Sequence, residues 1–77
     1  MKELLKHIAQ TIVDDPKSVE VNEIEGKNSS IIEIKVSKKD LGKMIGKNGR
    51  TAQSIRNIVY AASFKYGKRY TIEILAN

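Results

Sequence analysis

A chain of 77 residues has room for one domain, 1–77, and too little interior for a deep enclosed active site, because the buried fraction of a protein falls with its length. It contains no cysteine and a single histidine, His7, which removes disulfides, thiolate metal sites and histidine-based metal clusters and leaves an apolar core or self-association to supply stability. The net charge of +5 is unevenly spread: residues 1–25 hold three basic against six acidic side chains and the remainder eleven against three, so positive charge gathers where it would attract a polyanion. A solubilising lysine-rich surface has the same composition, and charge alone does not single out nucleic acid.

The opening "MKELLKHIAQTIV" interleaves charged and polar residues with apolar ones, which breaks the continuous run that a signal peptide or membrane span requires. The expectation is a soluble, cytoplasmic protein with no membrane partner. Leu5, Ile8, Ala9 and Ile12 in this segment form the stripe of an amphipathic helix, and His7 falls off it towards solvent. Pro16 disfavours helix in the residue before it, so the helix should stop by Asp15, with Asp14 and Asp15 as turn residues rather than a catalytic pair. Val19 and Val21 then alternate with polar residues and the pattern slips at Ile24, which predicts a strand with a bulge. "GKNSS" supplies hairpin-turn chemistry, and Asn28-Ser29-Ser30, although a match to the glycosylation pattern, is read as part of that turn. The next strand places Ile32, Ile34 and Val36 on one face and Ile31, Glu33 and Lys35 on the other.

Ser37 with Asp40 three residues on resembles a capping box, which predicts a short helix from Lys38. Gly42, Gly46 and Gly49 keep it short. A long helix starts near Arg50 with Ala52, Ile55, Val59, Ala62 and Tyr66 on one stripe and Gly67 as its terminator. A last strand, "RYTIEIL", aligns Tyr70, Ile72 and Ile74. Strands joined across a helix pair suit parallel pairing, so the expected architecture is α+β: the order α-β-β-α-α-β around a three-stranded mixed sheet with helices packed on one face.

Between the two helices lies Gly46-Lys47-Asn48-Gly49. Glycine reaches backbone angles closed to other residues and admits close approach to the main chain. The first amides of the following helix lack helical partners and carry the positive end of its dipole, an environment that favours phosphate. Lys47 and Arg50 add full charges, and Lys43 approaches from the short helix. A plain helix-to-helix turn would also use Asn and Gly, and four residues do not decide between the two. A nucleotide P-loop does not fit: Gly42 and Gly46 enclose three residues instead of four, and Asn48 stands where a magnesium-binding hydroxyl is required.

The stretch "LGKMIGKNGRTAQSIRNIV", between a strand and a long helix, resembles the KH domain, whose I-G-x-x-G signature is matched by Ile45-Gly46-Lys47-Asn48-Gly49. The extra helix and strand before the core are similar to the type II, prokaryotic arrangement. The resemblance covers nearly the whole chain and is strongest to small bacterial single-KH proteins. It implies a non-enzymatic, cofactor-free protein that binds single-stranded RNA, clamps about four nucleotides by their backbone, and serves a post-transcriptional or RNA-chaperone role. It further implies backbone contacts from Gly46 to Gly49, a base groove to which Ile45, Ile55 and the second strand contribute, and Arg50 and Arg56 at its edge. Ala52 departs from the bulkier aliphatic residue common in eukaryotic KH domains, which leaves groove depth and base preference open.

The long helix has more apolar surface than one stripe uses. Ile58, Tyr60, Ala61 and Phe64 lie outside it, and either pack under the first helix or face another chain. Self-association through Ile58, Ala61 and Phe64 is one reading, and the resemblance adds a homodimer and a larger KH-containing protein as partners. The alternative to RNA binding is accordingly a protein-interaction module built on this helix, with weak or lost nucleic-acid binding. For Tyr60, Phe64 and Tyr66, core packing or a protein contact is favoured over base stacking. No nucleophile, base or metal constellation suggests an enzyme.

Overall fold

A computed structural model describes residues 1–77. The chain forms α1 (Lys2–Ile12), a 3-10 turn at Pro16–Ser18, β1 (Glu20–Glu25), β2 (Ser29–Val36), a 3-10 turn at Lys38–Asp40, α2 (Leu41–Ile45), a 3-10 turn at Lys47–Gly49, α3 (Arg50–Tyr66) and β3 (Arg69–Ala76). The strand order is β1-β2-β3; β1 runs antiparallel to β2, and β3, returning after the helix pair, runs parallel to it. This is the α+β, type II KH-like architecture expected from the element order.

One side of the sheet holds the core. Val21, Ile32, Ile34, Val36 and Ile72 point to it because side chains alternate along a strand, and they meet Leu5 and Ala9 of α1, Met44 of α2, and Ile55 and Val59 of α3. Each fully buried aliphatic chain of this size contributes about 1.5–3 kcal/mol of transfer free energy, which is how a domain without disulfides holds together. The opposite face is open, with Ile24 paired to Ile31 across the first two strands and Glu33 beside Glu73 across the second pair.

Several local expectations are corrected. The β1–β2 register runs without interruption from Glu20↔Lys35 to Glu25↔Ser30, so there is no bulge. Ile24 lies on the open face, 55% exposed, because it follows the normal alternation. The hairpin turn is Gly26–Asn28, closed by the Gly26 amide on the Ser29 carbonyl at 2.7 Å; Ser29 and Ser30 already belong to β2. The stripe of α3 is buried only at Ala52, Ile55 and Val59, while Ala62 is half-buried and Tyr66 exposed. Gly67 ends that helix in the left-handed conformation, its amide bonded to the Ser63 carbonyl at 2.9 Å.

Ser37 and Asp40 do not make a capping box. The Ser37 hydroxyl donates to the Asp40 carboxylate at 2.9 Å, and that carboxylate also accepts the backbone amides of Asp14 and Asp15, each at 3.1 Å. Asp40 is fully buried and thus ties the α1–β1 connection to the segment that starts α2. Burial pushes its pKa up, but the Asp14 amide, the Ser37 hydroxyl, the Asp15 amide and the nearby Lys43 charge together outweigh burial and hold it below the ordinary carboxylate value.

Candidate nucleic-acid interface

The junction of α2 and α3 is a loop that only this sequence pattern permits. Gly46 (φ 78°, ψ 170°), Asn48 (φ 57°) and Gly49 (φ 74°) all have positive φ. Asn is among the few residues that enter the left-handed region readily. At Gly46 a Cβ would stand 2.3 Å from Thr51 Oγ1 and 2.8 Å from the Thr51 amide nitrogen, so the backbone packs against the first turn of α3 where no side chain fits. The Gly49 amide returns to the Gly46 carbonyl at 3.1 Å and closes the turn.

No side chain caps the N-terminus of α3, and its first turn contains no acidic residue. The Gly49 and Arg50 amides are taken by the Gly46 and Lys47 carbonyls, but the positive end of the helix dipole has no side-chain counter-group, and Lys47 and Arg50 are exposed beside it. Ile45, 41% exposed, adds an apolar side chain at the edge of the loop. The structure thus brings together Ile45, Gly46, Lys47, Asn48, Gly49 and Arg50.

Three other expected residues sit differently. Lys43 forms an ion pair with Asp14 of the α1–β1 connection, both side chains largely exposed. Ile55 is only 2% exposed and supports the site from within the core instead of touching a ligand. Arg56 is exposed on the outer flank of α3, nearly two turns beyond the loop.

Arg56 lines a furrow whose strand wall differs from the one expected. Its walls are Gln53, Arg56 and Tyr60 of α3 and Tyr70 and Thr71 of β3, with Asn57 hydrogen-bonded to Gln53 at 3.0 Å, and its volume is about 350 Å³. The strand that forms it is the edge strand β3; β2, the second strand, is central in the sheet and does not contribute. The 3–4 residue spacing of Gln53, Arg56, Asn57 and Tyr60 marks one helix flank, but only the placement of β3 makes that flank a groove. The open sheet face is a poor alternative for a polyanion, since Glu33 and Glu73 lie side by side there.

The apolar surplus of α3 is unpartnered within the chain. Ile58, Tyr60, Ala61 and Phe64 are all exposed, and α1 rests on β1, β2 and α2, so they do not pack beneath it. Core packing is also excluded for Tyr60 and Phe64, which are 68% and 73% exposed. No group of residues has the makings of a metal site, and no helix is long and apolar enough to cross a membrane.

Comparison with known proteins agrees with this geometry. The chain is 56% identical over 75 residues to the RNA-binding protein KhpA of Caldanaerobacter subterraneus subsp. tengcongensis, covering 97% of this chain and 100% of that protein. It is 51% identical to the RNA-binding protein KhpA of Clostridium perfringens, with the same coverage. It is 43% identical to that of Aquifex aeolicus, covering 97% of this chain and 95% of the other. No solved structure matches the chain. The family model described as KhpA/KhpB, KH domain matches residues 2–74, and with the I-G-x-x-G loop, the mixed sheet and the full-length relatives in agreement, the chain belongs to the KhpA/KhpB family of KH domains.

Proposed function

We propose that this protein binds single-stranded RNA without catalysing a reaction, holding the sugar-phosphate backbone on the Gly46–Gly49 loop and the uncapped N-terminus of α3. The observation that carries this reading is the loop itself: three positive φ angles within four residues shape a tight main-chain turn without bulky side chains at Gly46 and Gly49, while Lys47 and Arg50 supply charge at the same place. The relatives named as RNA-binding proteins support it. Bases then lie along the α3–β3 furrow, where polar side chains such as Gln53, Asn57 and Thr71 offer hydrogen bonds and sequence preference is low to moderate. A cytoplasmic post-transcriptional role follows from this activity.

Fluorescence anisotropy of a short labelled RNA pool over a salt series tests the reading. The wild type should bind with a salt slope of about 0.7 per phosphate neutralised. Lys47→Asp/Asn48→Asp, shown by circular dichroism to be folded, should lose about tenfold or more in affinity. Equal binding by the two proteins would remove the loop from the interface.

A second reading concerns partners and rests on the exposed Ile58, Ala61 and Phe64 ridge of α3. Such a ridge on a domain of this size suits a homodimer or docking to a larger KH-containing protein. Under such a partner the glycine loop, at the other end of the helix, stays free, whereas Phe64 is covered.

A further inference from the structure

We propose that the RNA strand held by the glycine loop continues along α3 to a second contact at the far end of the helix, an aromatic and cationic pocket, so that the bound segment exceeds the four nucleotides of a KH clamp. This rests on the reading that the loop holds RNA.

The furrow beside Arg56 does not end at Tyr60. A second hollow of about 370 Å³ begins there, bounded by Tyr60, Phe64, Lys68, Arg69 and Tyr70, and the two share Tyr60 and Tyr70 as a common wall. Together they follow the helix flank from Gln53, one turn past the glycine loop, to Gly67, a track of about 21 Å at a rise of 1.5 Å per residue. All four aromatic residues of the chain fall between positions 60 and 70, and three of them line this hollow. Tyr60 and Phe64 stand edge to face with centroids 5.1 Å apart, so each ring braces the other while both remain largely exposed.

Charge selects the occupant. Neither hollow has an acidic residue in its lining, although the chain carries nine. Arg56 lies in the first, and Lys68 and Arg69 in the second. Lys68 has only a loose ion pair with Glu25 at 3.9 Å, and Arg69 has none. Aromatic faces beside cations that are unpaired or only loosely paired are what a single strand uses without sequence preference: bases stack on the rings, guanidinium groups add cation–π attraction, and phosphates meet the charges.

The test is an NMR titration of the 15N-labelled full chain with randomised RNA pools of four and of eight nucleotides, alongside Lys68→Gln/Arg69→Gln. The eight-mers should shift the amides of residues 67–70 as well as those of 46–57, whereas four-mers at equal occupancy should shift the loop region more. The variant should keep its affinity for four-mers and lose about fivefold or more for eight-mers. Longer strands offer more binding registers, but that gain is common to both proteins and cancels. If both pools shift the same residues, or the variant keeps the full gain, the second contact is wrong and the loop reading stands. If neither pool binds, both fall. If the signals of 67–70 depend on protein concentration and RNA does not displace that association, the pocket is a protein contact and the proposal is overturned.

Discussion

Alanine at the two loop glycines should have unequal consequences, and the inequality follows from their surroundings. Gly46 sits at φ 78°, ψ 170°, a region occupied essentially only by glycine, where another residue costs of order 1–3 kcal/mol. Its added Cβ would also meet Thr51 Oγ1 at 2.3 Å and the Thr51 amide nitrogen at 2.8 Å. The hydroxyl is on a short side chain and the nitrogen belongs to the first turn of α3, so neither yields without moving the helix, a strain of about 1–3 kcal/mol more. Gly49, at φ 74°, ψ 15°, has nothing within 4 Å of its added Cβ, and only the left-handed penalty of about 1–2 kcal/mol applies. A domain of 77 residues has about 4–11 kcal/mol in all. Gly46→Ala should therefore remove a large part of the stability and Gly49→Ala a modest part. Urea unfolding followed by circular dichroism, with midpoints compared at unchanged m, reads the difference. Losses equal within about 0.5 kcal/mol would refute the steric argument at Gly46.

Three other outcomes are expected. Asp40 has its pKa lowered in the folded state, so the unfolded chain takes up the proton more readily; its stabilisation is complete above the ordinary value near 3.8 and is lost as pH falls through the folded value. Asp40→Asn should be less stable than wild type at pH 7, with the gap narrowing on acidification below about pH 4, and a gap independent of pH would contradict the assignment. Leu5→Ala should cost about 2–5 kcal/mol in urea unfolding, since Leu5 is fully buried, whereas exposed Leu4→Ala should stay within about 0.5 kcal/mol; a reversal would mean α1 is rotated on the sheet. Phe64→Asp should leave the fold intact and abolish any self-association seen by sedimentation equilibrium, and a wild type that stays monomeric at high micromolar concentration would dispose of the ridge as a dimer surface.

Much of the fold was legible locally. Leu5, Ile8, Ala9 and Ile12 mark α1 by helical spacing, Ile32, Ile34 and Val36 mark the buried face of β2 by alternation, and Gly67 marks the end of α3, because each of these signals depends on neighbours within one element. The glycine loop was legible for the same reason: positive φ at Gly46, Asn48 and Gly49 is a property of the residues in place. Periodicity misled at Ile24, where alternation on an open-faced hairpin resembles a slip, and at Tyr66, which continues the stripe in sequence yet is exposed with its ring edge-on to Tyr70.

What only the tertiary structure decided are relations between distant segments. Asp40 accepts amides 25 and 26 residues away, and nothing near Ser37 signals that its carboxylate is spoken for. Lys43 pairs with Asp14, 29 residues before it, a contact that nothing in the local sequence signals. The hollows that run along α3 from Gln53 to its aromatic end need β3 as their second wall, so that flank of the helix cannot be read from the helix alone. Sequence patterns determine which face of an element is apolar and which backbone angles a loop can adopt; which faces are left uncovered, and which charges remain unpaired, is decided only when elements far apart in the chain are packed together.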